Sequence, residues 1–204
     1  MNSKVPLEPR KREKYMAIID AALEVFAEYG YHNCQVAKIA RRAGIADGTI
    51  YLYFANKGDV LVSVYREKMN EFIIQLKALL EPYANAAEKL SALVNFYFDH
   101  LEKNPSLANF MQIQLRQSEA SIRAGIAEPL KQYYQLIETL IDEGKQQGIF
   151  NRQIKTKVAR KVIFGSMDEI VSCWVSSSRK YSLSNNAADV LTILTNGLTD
   201  KHSS

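Results

Sequence analysis

Apolar residues recur along almost the whole chain at three- and four-residue spacing, the period of an α-helix with one buried face. Ile18, Ile19, Ala22, Leu23 and Phe26 give a first helix that ends near Gly30, and Val36, Ile39, Ala40 and Ala43 give a short second one. Gly44 then supplies a tight connection. In a third helix Ile50 and Phe54 face inward with Ile45, which turns Asp47, Gly48 and Tyr51 toward the opposite side. Asn56, a good capping residue, opens a fourth helix at Lys57 that carries Leu61, Val64, Met69, Phe72, Leu76 and Leu80 to a stop at Pro82. Leu90, Leu93, Val94, Tyr97 and Leu101 mark a fifth, stopped by Asn104-Pro105, and Leu107, Phe110, Met111, Ile113 and Leu115 a sixth. Leu130, Tyr133, Tyr134, Ile137, Leu140 and Ile141 give a seventh, closed by Gly144 and Gly148. The expected fold class is all-α, with about nine helices and a helix-turn-helix near the N-terminus.

The last two helices carry a different pattern. Val158, Val162, Ile163, Met167, Ile170, Val171, Trp174 and Val175 spread apolar surface around much of the eighth, and Val190, Leu191, Ile193, Leu194 and Leu198 do likewise in the ninth. Such coverage needs burial on more than one side. A partner subunit would cover the surplus; packing of both helices into their own body is the alternative.

Charge adds a polarity along the chain. The 204 residues carry a net +4, and residues 1 to 57 hold nine Lys/Arg against six Asp/Glu, so the N-terminal quarter is the expected polyanion partner. Residues 1 to 9 read as an arm whose Lys4, with Arg10, Lys11 and Arg12 after it, can reach a DNA backbone. Cys34 and Cys173 lie far apart with no metal-ligand spacing, and both are expected to be reduced and structural. No apolar leader and no bilayer-length apolar run is present, from which a cytoplasmic protein is expected. Catalysis is not expected. The chain has no nucleotide-binding glycine cluster and no G-x-S-x-G, and His32, His100 and His202 sit in unrelated places.

The run ARRAGIADGTIYLYFANKGDVL, with its alanine-glycine turn, glycine-threonine helix start, tyrosine-x-tyrosine-phenylalanine segment and following lysine, resembles the DNA-binding signature of the TetR family of bacterial repressors. The resemblance implies an N-terminal helix-turn-helix DNA-binding domain over 1–56. Residues 57–204 would form a C-terminal ligand-binding and dimerisation domain, with the last two helices making a four-helix interface in a homodimer. On that footing the third helix enters the major groove of operator DNA. Gly48 lets the backbone approach a base or phosphate, Tyr51 and Tyr53 offer hydroxyls to phosphates, and Thr49 suits a base edge or a thymine methyl. Asp47 either caps this helix or accepts from cytosine N4. Gln35 and Lys38 at the start of the second helix, and Lys57 at the start of the fourth, are candidate phosphate clamps.

The body's aromatic and apolar residues suffice to line a cavity as well as to fill a core. The segment QIQLRQS at 112 to 118 adds Gln114 and Arg116 to an otherwise apolar helix, where an arginine needs an anion or a carboxylate. QLRQS and IFGSMDEIVSCWV at 163 to 175, together with IADGTIYLYF and the chain length, resemble the TetR-type regulators of fatty-acid degradation in Bacillus-type bacteria. That resemblance implies release from DNA by long-chain acyl-CoA as effector, with no bound cofactor and no metal. The candidate ligand-binding residues are Phe72, Leu76, Phe96, Phe110, Gln114, Arg116, Arg123, Lys131, Tyr133, Ile137, Phe164, Asp168 and Trp174. Arg116 leads for the CoA phosphates, with Arg123 and Lys131 behind it; an internal ion pair to Asp168 or Glu169 is the competing use. A sensor of another hydrophobic or aromatic molecule, and a carrier of apolar cargo with no DNA role, are the alternatives.

Overall fold

The computed structural model describes residues 8–114, 119–177 and 181–199, and among them no strand occurs. Eight α-helices follow one another: α1 Pro9–Asn33, α2 Val36–Arg42, α3 Lys57–Leu80, α4 Ala86–Lys103, α5 Pro105–Asn109, α6 Ala120–Gln146, α7 Thr156–Ser176 and α8 Ala187–Leu198. A 3-10 helix, Asp47–Leu52, stands where the third helix was expected, a π turn spans Phe110–Gln114, and a second 3-10 turn spans Ser184–Asn186. The expected all-α architecture is therefore present.

Its ends have local causes. α1 starts with Pro9 in the first turn, where a missing N–H costs nothing. Gly30, at φ 72°, breaks its helical course where the sequence placed the end, and one further turn closes on Cys34. At α3, Asn56 Oδ1 accepts from Asp59 N at 2.9 Å while Asp59 Oδ2 accepts from Ala55 N at 3.0 Å, a reciprocal cap of the capping-box kind. α4 is capped by Asn85, whose side chain accepts from Ala87 N and Glu88 N.

Two expectations about elements are corrected. The sixth helix is not one α-helix, because after α5 the chain widens into the π turn, which carries buried Phe110 to 6.2 Å from the Phe26 ring. The seventh begins at Ala120 rather than Leu130 and runs through Pro129. A proline inside a helix removes the N–H that would bond four residues back, here to Gly125 O. Arg66 Nε donates to that carbonyl at 2.9 Å, and Gly125 itself leaves room for α3, since a Cβ there would lie 2.7 Å from both Val62 methyls.

The chain divides into two compact units. The first takes the residues up to Lys68 together with Asn109–Ile126; the second takes Met69–Ala108 and the chain from Ala127 on. This division falls within α3, after Lys68, whereas the sequence pattern placed a boundary at 56/57; the first turns of α3 are buried in the first unit through Val60, Leu61, Val64 and Tyr65. That unit's core adds Ile18, Ile19, Ala22, Val25 and Phe26 of α1, Ile39 and Ala40 of α2, and Ile50 and Phe54. In the second unit α4 packs against α7 and α8. Trp174 Nε1 donates to Tyr181 O at 2.8 Å, and Glu102 accepts from the Leu183 and Ser184 amides, so both fix the connection into α8.

Candidate nucleic-acid interface

The helix-turn-helix is held by its inner face and exposes the outer one. Ile39 and Ala40 of α2 are fully buried, as is Ile50 of the 3-10 helix, while Gly44 takes φ 68°, a left-handed conformation that costs glycine least. α2 is also tied down by charge. Arg42 reaches Glu24 at 2.6 Å and Glu28 at 3.1 Å on α1, exposed pairs that solvent screens strongly. Lys38 lies over the Tyr29 ring, its Nζ 3.6 Å from the centroid. Gln35 is exposed at the N-cap of α2 and makes no capping bond.

The six residues from Asp47 to Leu52 form three ridges, because side chains three apart eclipse in a 3-10 helix. With Ile50 inward, Gly48 and Tyr51 share one outer ridge and Thr49 and Leu52 the other. Tyr51 is 57% exposed and Leu52 82%. A Cβ on Gly48 would meet nothing within 4 Å, and its φ is not in the left-handed region, so the fold itself makes no demand for glycine here. Leu52 was not among the candidate residues, although two positions from inward Ile50 lies on the far side of an α-helix and of a 3-10 helix alike. Tyr53 is half-buried at the end of this helix with its ring 6.4 Å from Phe54.

Two candidate roles change. Asp47 does not cap the 3-10 helix: the N-cap is Ala46, whose side chain has no acceptor, and Asp47 lies one residue inside, exposed. Lys57, expected as a phosphate clamp, directs its ammonium inward to Tyr31 O at 2.8 Å, Cys34 O at 3.1 Å and His32 O at 3.3 Å. Those are carbonyls of the last turn of α1 and of its C-cap Cys34, so three donors of one ammonium meet three acceptors at the helix end, of which Tyr31 O also accepts from Cys34 N at 3.4 Å. The same ammonium lies 4.6 Å from the Tyr31 ring centroid. The Cys34 thiol beside it is pushed up by burial, against the pull of Lys57 and Lys38.

In the second unit, rings from four helices meet. Phe72 of α3 lies 5.1 Å from Phe96 of α4 and 5.5 Å from Tyr133 of α6, and Tyr133 lies 6.0 Å from Phe164 of α7. Leu76 and Ile137 are fully buried, and Trp174 is buried. Phe96, half-exposed, also lines an open groove of about 530 Å³ with Tyr83, Leu79 and His100. Burial pushes the Tyr134 hydroxyl up, opposed by Arg160, 4.1 Å over the ring and 3.3 Å from Glu138, and reinforced by the charge of Asp168. Phe110 lies in the first unit, its ring 6.2 Å from that of Phe26. Arg123 and Lys131 are exposed on α6. Arg116 and Lys4 lie outside the described residues, as does the side chain of Gln114. Among the described residues no group of acidic, histidine or cysteine side chains is arranged to hold a metal, and no helix is long and apolar enough to cross a membrane.

Comparison with known proteins extends these observations to almost the whole chain. Residues 18–64 match the family described as bacterial regulatory proteins, tetR family, and residues 65–197 match the YsiA-like protein C-terminal region. The fatty acid metabolism regulator protein of Bacillus subtilis (strain 168) is 44% identical over 192 residues, which is 94% of this chain and 99% of that protein. A crystal structure of the transcriptional regulator FadR from Bacillus subtilis in complex with stearoyl-CoA superposes with a TM-score of 0.87 at 44% identity, covering 90% of this chain and 99% of that one. The fatty acid degradation regulator FadR from Bacillus halodurans gives 0.86 at 45% identity, covering 90% and 99%. With its helix-turn-helix inside the first matched segment and the ring cluster of the second unit inside the other, this chain belongs to the TetR family of bacterial transcriptional regulators.

Proposed function

We propose that this protein is a homodimeric repressor of fatty-acid degradation genes that leaves its operator when it binds long-chain acyl-CoA. The observation that carries this is the 44% identity, over 94% of the chain, to a fatty acid metabolism regulator whose fold has been solved with stearoyl-CoA. The outward ridges bearing Gly48, Tyr51 and Thr49 meet the major groove, and Gln35 and Lys38 flank them on the phosphates. The acyl tail lies among Phe72, Leu76, Phe96, Tyr133, Ile137 and Phe164, entering past the half-exposed Phe96 ring. Arg116, Arg123 and Lys131 take the CoA phosphates; for Arg116 the support is the sequence motif alone.

Release requires the effector to bind the DNA-free conformation more tightly. A thousandfold loss of operator affinity takes about 4 kcal/mol of coupling, and a long tail can supply it at about 0.8 kcal/mol per buried methylene if the two states bury it differently. α3 is the proposed lever, since Phe72 and Leu76 lie on the same helix as Val60 and Val64 of the DNA-binding unit.

Dimerisation has a surface suited to it. Ala159, Ile163, Met167, Val171 and Trp174 bury one face of α7, whereas Val158 and Val162 remain 51% and 54% exposed; on α8, Ile193 is 70% exposed. A Cβ at Gly165 or Gly197 would meet nothing, so small residues extend the same outer stripe.

The test uses full-length protein and a duplex selected by it from a randomised pool. Palmitoyl-CoA below its micelle concentration should release the duplex, and free CoA or acetyl-CoA at the same concentration should not. Full occupancy at saturating palmitoyl-CoA would remove the acyl-CoA reading and leave a TetR-family regulator of another ligand.

A further inference from the structure

Leu52 is the most exposed large apolar side chain among the described residues, at 82%, and it stands on the one short helix whose outer ridges are offered to DNA. Ordinary surface economy does not account for it. The side chain has no polar atom, and its eclipsed neighbour on the ridge, Thr49, presents a methyl and a hydroxyl. Gly48, on the adjoining ridge, leaves open space beside it. A leucine set into a major groove finds hydrogen-bonding groups on every base edge and apolar surface on only one of them, the C5-methyl of thymine.

We propose that Leu52 is a specificity-determining residue that reads one thymine in each half-site through its C5-methyl group, by burial of apolar surface rather than by a hydrogen bond. The inference rests on the DNA-binding reading above and narrows it to a base. It predicts a preference for T over C or deoxyuridine at one position, with no donor or acceptor from residue 52 involved.

Deoxyuridine scanning isolates the contact, since uracil differs from thymine only in lacking that methyl. Each thymine of a duplex selected by the wild-type protein is replaced singly, and affinity is measured for wild type and for Leu52→Ala. One replacement per half-site should weaken the wild-type complex about fourfold, the worth of one methyl-sized group, and should leave the Leu52→Ala complex unchanged. Equal responses of the two proteins at every thymine would overturn the proposal. So would a change of oligomeric state in Leu52→Ala without a change in the scan, which would give the leucine to a protein contact. Failure of the DNA-binding reading looks different, because no duplex would then be enriched by wild type at all. Helical content by circular dichroism verifies that the exposed substitution leaves the fold intact.

Discussion

At the scale of single residues, Gly48 and Lys57 exchange the roles that sequence suggests for a glycine and a lysine. Gly48 is not required by the fold, so Gly48→Ala should keep or raise stability, by about 0.4–1 kcal/mol from the smaller entropy of the unfolded chain, while lowering affinity for duplex. Urea unfolding and duplex titration on the same preparation check this; a loss of stability would show that the glycine serves the protein rather than its ligand. Lys57 is tied to three backbone carbonyls. Lys57→Met keeps the stem and removes the donors, so it should cost about 1.5–3 kcal/mol of stability, the range for hydrogen bonds to a charged group. A lysine that served only as a phosphate clamp would instead lose DNA affinity at unchanged stability. Nothing in the residue order distinguishes these uses, because the carbonyls of Tyr31 and Cys34 are more than twenty positions away.

At the scale of elements, periodicity located nearly every helix and misjudged those whose causes are tertiary. Asn56, Asn85, Gly30 and Gly44 act where their chemistry predicts, each through its own backbone neighbourhood. Pro129 is the exception. It looks like a helix start, yet α6 continues through it because Arg66, on another helix, donates to the Gly125 carbonyl that the proline leaves without a partner. The close crossing of α3 and α6 at Gly125 gives a sharp prediction. Gly125→Ala should destabilise by about 1–3 kcal/mol through overlap with Val62, and Val62→Ala in the same chain should recover part of the loss. Additive effects in that double-mutant cycle would contradict the contact.

At the scale of the whole molecule, the wide apolar coverage of the last two helices resolves into two faces. One is buried within the second unit through residues such as Met167 and Leu194, and the other carries Val162 and Ile193 outward. Ile193→Glu should therefore give folded monomers with weakened operator binding, whereas Leu194→Glu, one residue on, should prevent folding by placing a charge in the core. Sedimentation and circular dichroism separate the outcomes. A dimeric Ile193→Glu protein would move the proposed interface elsewhere. Leu191, which the sequence offered equally well, is half-buried and makes a poorer probe.

The sequence by itself determined the all-α class, the place of the helix-turn-helix and the cap at Asn56, because period, glycine conformation and capping act over a few residues and need no distant partner. It also brought Phe72, Phe96, Tyr133 and Phe164 onto one list of ligand candidates, which the structure joins ring to ring. Only the tertiary structure decided that Lys57 faces α1, that Phe110 packs on Phe26 and that the first unit reaches into α3 and α6. The physical reason is common to all three: an apolar or charged side chain goes where surface or partners are available, and that availability is created by segments far away in the chain.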